Sequence, residues 1–265
     1  MMLYLDRFIL TTNASRMSYP YNILRPKKLQ YIDFSPITIF YGSNGCGKST
    51  LLNIIARKLG VEMLDRGNDS EALQPYINEC KYKVTAPFNQ HCDLPEESRF
   101  IRSEEVMHGI IKVRQHNERI KQHIRNANPE LFNRFFNSKD DNVGYVWSAD
   151  RWIYHALEKY KDVRSNGELA FDYFQDNIVP ETLVLLDEPE NSLSPKFQKE
   201  LAKMILDYAR FFNCQFIIAT HSPFLLAIQG AKIYDLDSTP SEVRDWTELD
   251  NIKLYSELFK NIEIK

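Results

Sequence analysis

Three short stretches of the chain are apolar almost without a break: residues 37–41, 183–186 and, behind Gln215, 216–219. Their length suits strands, and the lack of alternation means that both faces of each strand are covered, as in a parallel sheet with helices on either side. Helical spacing fills the intervals, over 48–59 with a stop at Gly60, from Ser165 to about Phe174, and over 195–212. Strand and helix therefore alternate, which predicts an α/β fold. A further strand at 233–236 and a short helix near 254–259 complete the pattern. Residues 1–10 behave differently. They alternate apolar and polar positions and include Asp6 and Arg7, which predicts an edge strand and not a signal peptide.

Between 61 and 160 the pattern turns polar and mostly helical, broken by Pro75, Pro87, Pro95 and Pro129. The expected organisation is one domain over 1–265. A core lobe, 1–60 and 161–265, carries a mostly parallel sheet with an antiparallel edge, and residues 61–160 form an inserted, mainly helical lobe. A turn-rich stretch over 13–26 separates the first strands, and no repeat or sustained heptad pattern points to a long coiled-coil arm.

Composition narrows the function classes. With 33 basic and 36 acidic residues the 265-residue chain has a net charge of −3, so no overall positive field recruits nucleic acid, and such a partner is possible only at a local patch. The one evident patch is the run 112–125, with five basic residues against a single acid. Cys46, Cys80, Cys92 and Cys214 form no C-x-x-C pair, which argues for thiols in a reducing compartment; Cys80, His91 and Cys92 lack the spacing and the fourth ligand of a zinc site. No stretch reaches the roughly 20 apolar residues that span a bilayer. The expectation is a soluble, cytoplasmic protein without a membrane partner.

The chemistry is concentrated at Gly42-Ser43-Asn44-Gly45-Cys46-Gly47-Lys48-Ser49, followed by Thr50. The run satisfies G-x-x-x-x-G-K-[ST] and lies between a predicted strand and a predicted helix, the context of a P-loop NTPase. Glycines let the backbone N–H groups wrap phosphates, and the helix N-terminus adds a favourable dipole. Lys48 would bridge the terminal phosphates of ATP, and the Ser49 hydroxyl would serve Mg2+. Downstream, Asp187 and Glu188 emerge at the carboxyl end of the strand at 183, where open α/β sheets place their ligands. Asp187 suits the Mg2+ shell; Glu188 is placed to polarise an attacking water.

Together these motifs resemble the ATP-binding-cassette class of ATPases. Asn191-Ser-Leu-Ser-Pro195 is similar to the dimer-facing loop that follows the acidic strand in that class, Thr220-His221-Ser222-Pro223 to its switch histidine, and Ser165-Asn166-Gly167-Glu168 to its signature motif, which reaches across a dimer to the partner's γ-phosphate. Ser165 and Glu168 also fit the S-x-x-E capping box, so the same residues predict a helix start. The short signature and the Ser-Pro after His221 depart from transporter ATPases. They are closer to the soluble SMC and recombination-repair branch, and closest to small bacterial ATPases with Asp-Glu-Pro-Glu and Thr-His-Ser-Pro motifs. The glutamine-loop position is either Gln90 or Glu104, of which Glu104 would join the Mg2+ shell. For adenine, Tyr19 and Tyr21 would stack, with Arg16 or Arg25 on ribose or phosphate; packing of that loop on the core is the alternative. Trp147, Trp152, Tyr154 and Tyr160 read as core or partner contacts.

The resemblance implies an ATP hydrolase that closes as a homodimer around ATP and acts on an effector protein in a bacterial genome-maintenance or phage-defence complex. The alternatives are a nucleotide-binding subunit of a membrane transporter and a non-hydrolysing scaffold.

Overall fold

The computed structural model describes residues 3–11, 18–63, 70–85, 94–127, 129–130, 132–133 and 165–260. Arg16, Gln90, His91, Cys92, Trp147, Trp152, Tyr154 and Tyr160 lie outside these residues, as does the last part, 134–160, of the stretch expected as an inserted lobe.

The central sheet has six strands in the order β5 (Arg99–Arg102), β6 (Leu183–Asp187), β7 (Gln215–Ala219), β3 (Ile37–Tyr41), β8 (Lys232–Asp235) and β9 (Glu242–Arg244). All neighbours are parallel except the β8–β9 pair at one edge. The mostly parallel sheet with an antiparallel edge is thus present. In β3, β6 and β7 every residue is buried. Alternate side chains serve two separate cores, which explains the unbroken apolar runs. Phe40, Leu183, Leu185 and Ile217 pack on one face with Leu51 and Ile55 of α2 (Lys48–Leu59). Ile39, Val184, Leu186, Phe216 and Ile218 pack on the other, with Phe174 of α5 (Asn166–Asn177) and Leu201 and Ile205 of α6 (Pro195–Phe211).

A second, three-stranded antiparallel sheet has the order β2 (Tyr31–Asp33), β1 (Leu5–Ile9), β4 (Lys81–Val84). Two expectations are corrected here. First, β1 is the central strand of this sheet and not an edge, because β4 pairs with its free side; a register shift between Leu5 and Arg7 lets Leu5 and Phe8 both reach the core. Second, the region read as helical supplies β4 to this sheet and β5 to the main one. It also supplies helix α3 (Ser70–Glu79), which carries Pro75, and α4 (Ser103–Ala127).

Gln215, fully buried, joins the two sheets. Its Oε1 accepts from the N–H groups of Tyr4 and Leu5 at 2.9 and 2.8 Å, and its Nε2 donates to Leu5 O at 2.8 Å and Ser35 O at 3.3 Å. One amide thereby does the work of a missing strand pair, since buried backbone groups need partners. Three further α-helices are α1 (Tyr21–Leu24), α7 (Pro223–Leu226) and α8 (Asp250–Lys260). Among the described residues no helix is long and apolar enough to cross a membrane.

Candidate active site at the carboxyl ends of the parallel strands

β3 ends at Tyr41, and the chain turns through Gly42, Ser43, Asn44, Gly45 and Cys46 into α2. Gly42, Gly45 and Gly47 all have positive φ. Gly47 caps α2 at φ 107°, and a Cβ there would lie 2.8 Å from Ile23 Cγ2, so both its backbone and its neighbour demand glycine. Ser43, Asn44 and Gly45 form the exposed crest of the loop. Cys46 turns inward, and burial pushes its thiol pKa up, so it remains a packing group. Beside the loop, Thr50 Oγ1 lies 3.1 Å from the hydroxyl of Tyr19.

Lys48 begins α2, is 4 % exposed, and spends its donors locally. Its ammonium donates to Gly42 O at 2.9 Å, to Ser43 O at 3.3 Å and to His221 Nε2 at 2.6 Å, and lies 3.5 Å from Glu188 Oε1. Because Nε2 accepts, the His221 ring proton sits on Nδ1. Burial and the adjacent Lys48 charge lower the His221 pKa and favour the neutral ring, against an opposing pull from Glu188 at 3.7 Å. The P-loop, the acidic strand and the loop that carries His221 therefore meet at one ammonium.

Asp187 and Glu188 leave β6 in different states. Asp187 is 8 % exposed, and its Oδ1 accepts from Ser49 Oγ at 3.0 Å. Burial raises its pKa to about 6; the Ser49 hydrogen bond opposes the rise, and the charges of Glu188 and Glu104 add to it. A buried carboxylate bonded to a serine hydroxyl, with two further acids acting on it, is the oxygen donor set a hard divalent cation takes. Ser49 and Asp187 thus offer the paired oxygens Mg2+ would take, and the ion would supply charge neutralisation there; among the described residues no contact places the exposed Glu104 beside them. Glu188 adopts the left-handed region at φ 47°, ψ 51°, a costly conformation outside glycine that tends to persist at functional positions. The Asn191 side chain donates to its Oε2 at 3.0 Å, and its own N–H donates to Ala219 O at 2.9 Å.

A pH effect follows from Asp187. Its folded pKa lies above the ordinary 3.8, so the stability it lends is complete below about pH 4 and is lost as pH rises through about 6. Two pKa units correspond to about 3 kcal/mol. Asp187→Asn should therefore melt higher than wild type at pH 7.5 without nucleotide or Mg2+, and the advantage should vanish near pH 4. Thermal melts at both pH values check this; equal shifts at both would contradict it.

Several contributors draw no role from the sequence, although Glu190 ends the Asp-Glu-Pro-Glu motif. Asp237, just past β8, accepts from Ser43 N at 2.6 Å and from Ser43 Oγ at 2.9 Å, clamping the crest of the P-loop. Glu190 Oε1 accepts from the N–H groups of His221 and Ser222 at 2.6 and 3.2 Å, tying the acidic loop to the loop that carries His221. Asn251 of α8 donates to His221 O at 3.2 Å. Each partner is at least 30 residues away in sequence, and no local pattern announces it.

Ser165 is exposed at the N-cap of α5, with the capping box complete: its Oγ accepts from Glu168 N at 3.3 Å, and its N–H donates to Glu168 Oε2 at 2.7 Å. Gly167 follows against the Phe197 ring. Among the described residues no hydrogen bond joins Ser165 to the Lys48 cluster. Of the adenine readings, Tyr21 is corrected: it is 2 % exposed, and its ring packs edge-on against Tyr76 at 4.8 Å, so α1 is pinned to the core by a side chain out of reach of a base.

Comparison with known proteins agrees with this geometry. The chain is 27% identical to the petrobactin import ATP-binding protein FpuD of Bacillus anthracis, over 89% of this chain and 83% of that one. It is 24% identical to the probable ABC transporter ATP-binding protein p29 of Mesomycoplasma hyorhinis, over 91% of each. Among solved structures it is similar to an Smc head domain of Pyrococcus furiosus bound to the C-terminal domain of ScpA, at 14% identity and a TM-score of 0.45, covering 98% of this chain and 99% of that one. A family described as "AAA domain, putative AbiEii toxin, Type IV TA system" matches residues 64–227, a span that contains Ser165, Asp187, Glu188 and His221. With more than half of its length matched, the chain belongs to this AAA-domain family.

Proposed function

We propose that the protein binds ATP with Mg2+ and hydrolyses it, and that ATP drives two copies to close face to face. The observation that carries this reading is the convergence of Lys48, Glu188 and His221 on one point, with Ser49 and Asp187 paired beside it. The partners that Lys48 holds are ones a γ-phosphate can replace. Moving the ammonium onto phosphate frees His221 Nε2 and Glu188; the His221 ring then takes the tautomer with its proton on Nε2, losing that on Nδ1, and donates to a γ-phosphate oxygen, while Glu188 orients and deprotonates the attacking water. Ser165, at an outward-facing helix start apart from this cluster, completes the site of the other copy. Hydrolysis reopens the pair.

The output belongs to an effector partner in the cytoplasm, in a bacterial genome-maintenance or phage-defence complex; the Type IV TA system in the family's description supports a partnered role. A second reading, the energising subunit of a transporter, is favoured by the printed functions of the two curated relatives. It predicts that the protein co-purifies with a membrane subunit, where the first predicts a soluble partner.

Mixing two inactive variants tests the shared site. Lys48→Ala and Ser165→Arg should each lose nearly all turnover, yet a mixed dimer holds one intact site, built from Lys48 of one copy and Ser165 of the other. An equimolar mixture should recover roughly a quarter of the wild-type rate, since half the symmetric pairings are mixed and each has one working site of two. No recovery would contradict the exchange of Ser165.

A further inference from the structure

Helix α4 runs for 25 residues from Ser103 to Ala127 and buries only Val106, Ile110 and Asn117. At 100° per residue these three lie on one side, and the opposite side from His108 onward is formed by His108, Lys112, Gln115, Arg119, Gln122 and Asn126, all exposed. Neither an acid nor an apolar residue interrupts that face over about 27 Å. Ile111 borders it on one side and His123 on the other, both exposed; of the nearby acids, Glu104 stands one turn before His108, and Glu118 pairs with Lys121 at 3.0 Å. The face therefore carries two cations, Lys112 and Arg119, and no acid, in a chain of net charge −3.

We infer that this face of α4 binds the phosphodiester backbone of a nucleic acid. The charge selects a polyanion, and the composition selects which one. A protein interface needs buried aromatic or aliphatic anchors at its centre, and this face has none from His108 to Asn126. Nucleic-acid interfaces are polar and strongly positive, made largely of Arg, Lys and amide contacts to phosphates. The face offers that set on a rigid helix. The inference stands independently of the ATP clamp, because no residue of the face belongs to the Lys48 cluster.

The test is fluorescence anisotropy of the whole protein with labelled 30-base-pair DNA, single-stranded DNA and single-stranded RNA, from 50 to 200 mM salt. With about two phosphates neutralised, by Lys112 and Arg119, log affinity should fall with log salt at a slope of about −1.8 on duplex and about −1.4 on single strands, a loss on the order of 10-fold across the range. The strand type that binds tightest identifies the source of the backbone. Lys112→Gln with Arg119→Gln should weaken binding at least tenfold at 100 mM salt and flatten the slope to near zero. Lys48→Ala should leave binding unchanged. Several results would overturn the assignment: no binding at 50 mM salt, binding indifferent to the double substitution, or loss of binding in Lys48→Ala, which would place the strand on the P-loop. Polyglutamate binding as tightly as any strand would give the face to an acidic protein. Both substitutions are on the solvent side of α4, and an unchanged melting temperature verifies the fold.

Discussion

Lys48→Ala is expected to weaken ATP binding by about 10²- to 10³-fold while the protein stays folded. The ammonium is nearly buried and is the single cation within reach of Gly42 O, His221 Nε2 and Glu188 among the hydrogen bonds and ion pairs described. Removing one partner from a buried charged pair costs about 3–5 kcal/mol, and each 1.4 kcal/mol is tenfold in affinity. The α2 core, built on Leu51, Leu52, Ile54 and Ile55, does not depend on that side chain. Calorimetric titration with ATP and Mg2+ reads the affinity, and a melt in parallel separates lost binding from lost fold. Affinity within a few-fold of wild type would mean that the phosphates lie elsewhere.

Glu188→Gln should do the opposite, keeping ATP and losing turnover. The amide retains the shape and an acceptor for the Asn191 side chain, now 3.0 Å from Glu188 Oε2, but it cannot take a proton from water. A positioned general base contributes about 10²–10⁴ in rate, so turnover should drop by at least 10². The same change removes a negative charge 3.5 Å from the Lys48 ammonium, which leaves more of that charge for the γ-phosphate, so ATP affinity should hold or rise. Phosphate release under saturating ATP measures the first effect and equilibrium binding the second. Turnover within a few-fold of wild type would move the base elsewhere or identify a protein in which hydrolysis is not the working step.

The parts of this site visible in the sequence are those whose requirement is local. The P-loop declares itself because a phosphate cradle needs small residues and a helix start within eight positions, and β3, β6 and β7 because strands buried on both faces keep all but one position apolar. The strands β4 and β5 were hidden for the converse reason. Lys81–Val84 has three of its four residues exposed, Arg99–Arg102 opens and closes on arginine, and both take their place from distant partners in β1 and β6. Gln215, Asp237, Glu190 and Asn251 act through hydrogen bonds closed by the tertiary fold, at sequence separations of up to 211 residues, and one-dimensional patterns carry no trace of such pairings. Tyr21 shows the limit from the other side. An aromatic near a P-loop suggests a stacking platform, yet its ring is consumed by Tyr76.

The most direct test is the mass in solution of Glu188→Gln, with and without ATP and Mg2+, beside Lys48→Ala. ATP-driven closure predicts a monomer that becomes a dimer only when ATP is added, with no shift in Lys48→Ala or when Ser165→Arg is combined with Glu188→Gln. A mass indifferent to ATP, whether monomer or constitutive oligomer, would contradict it.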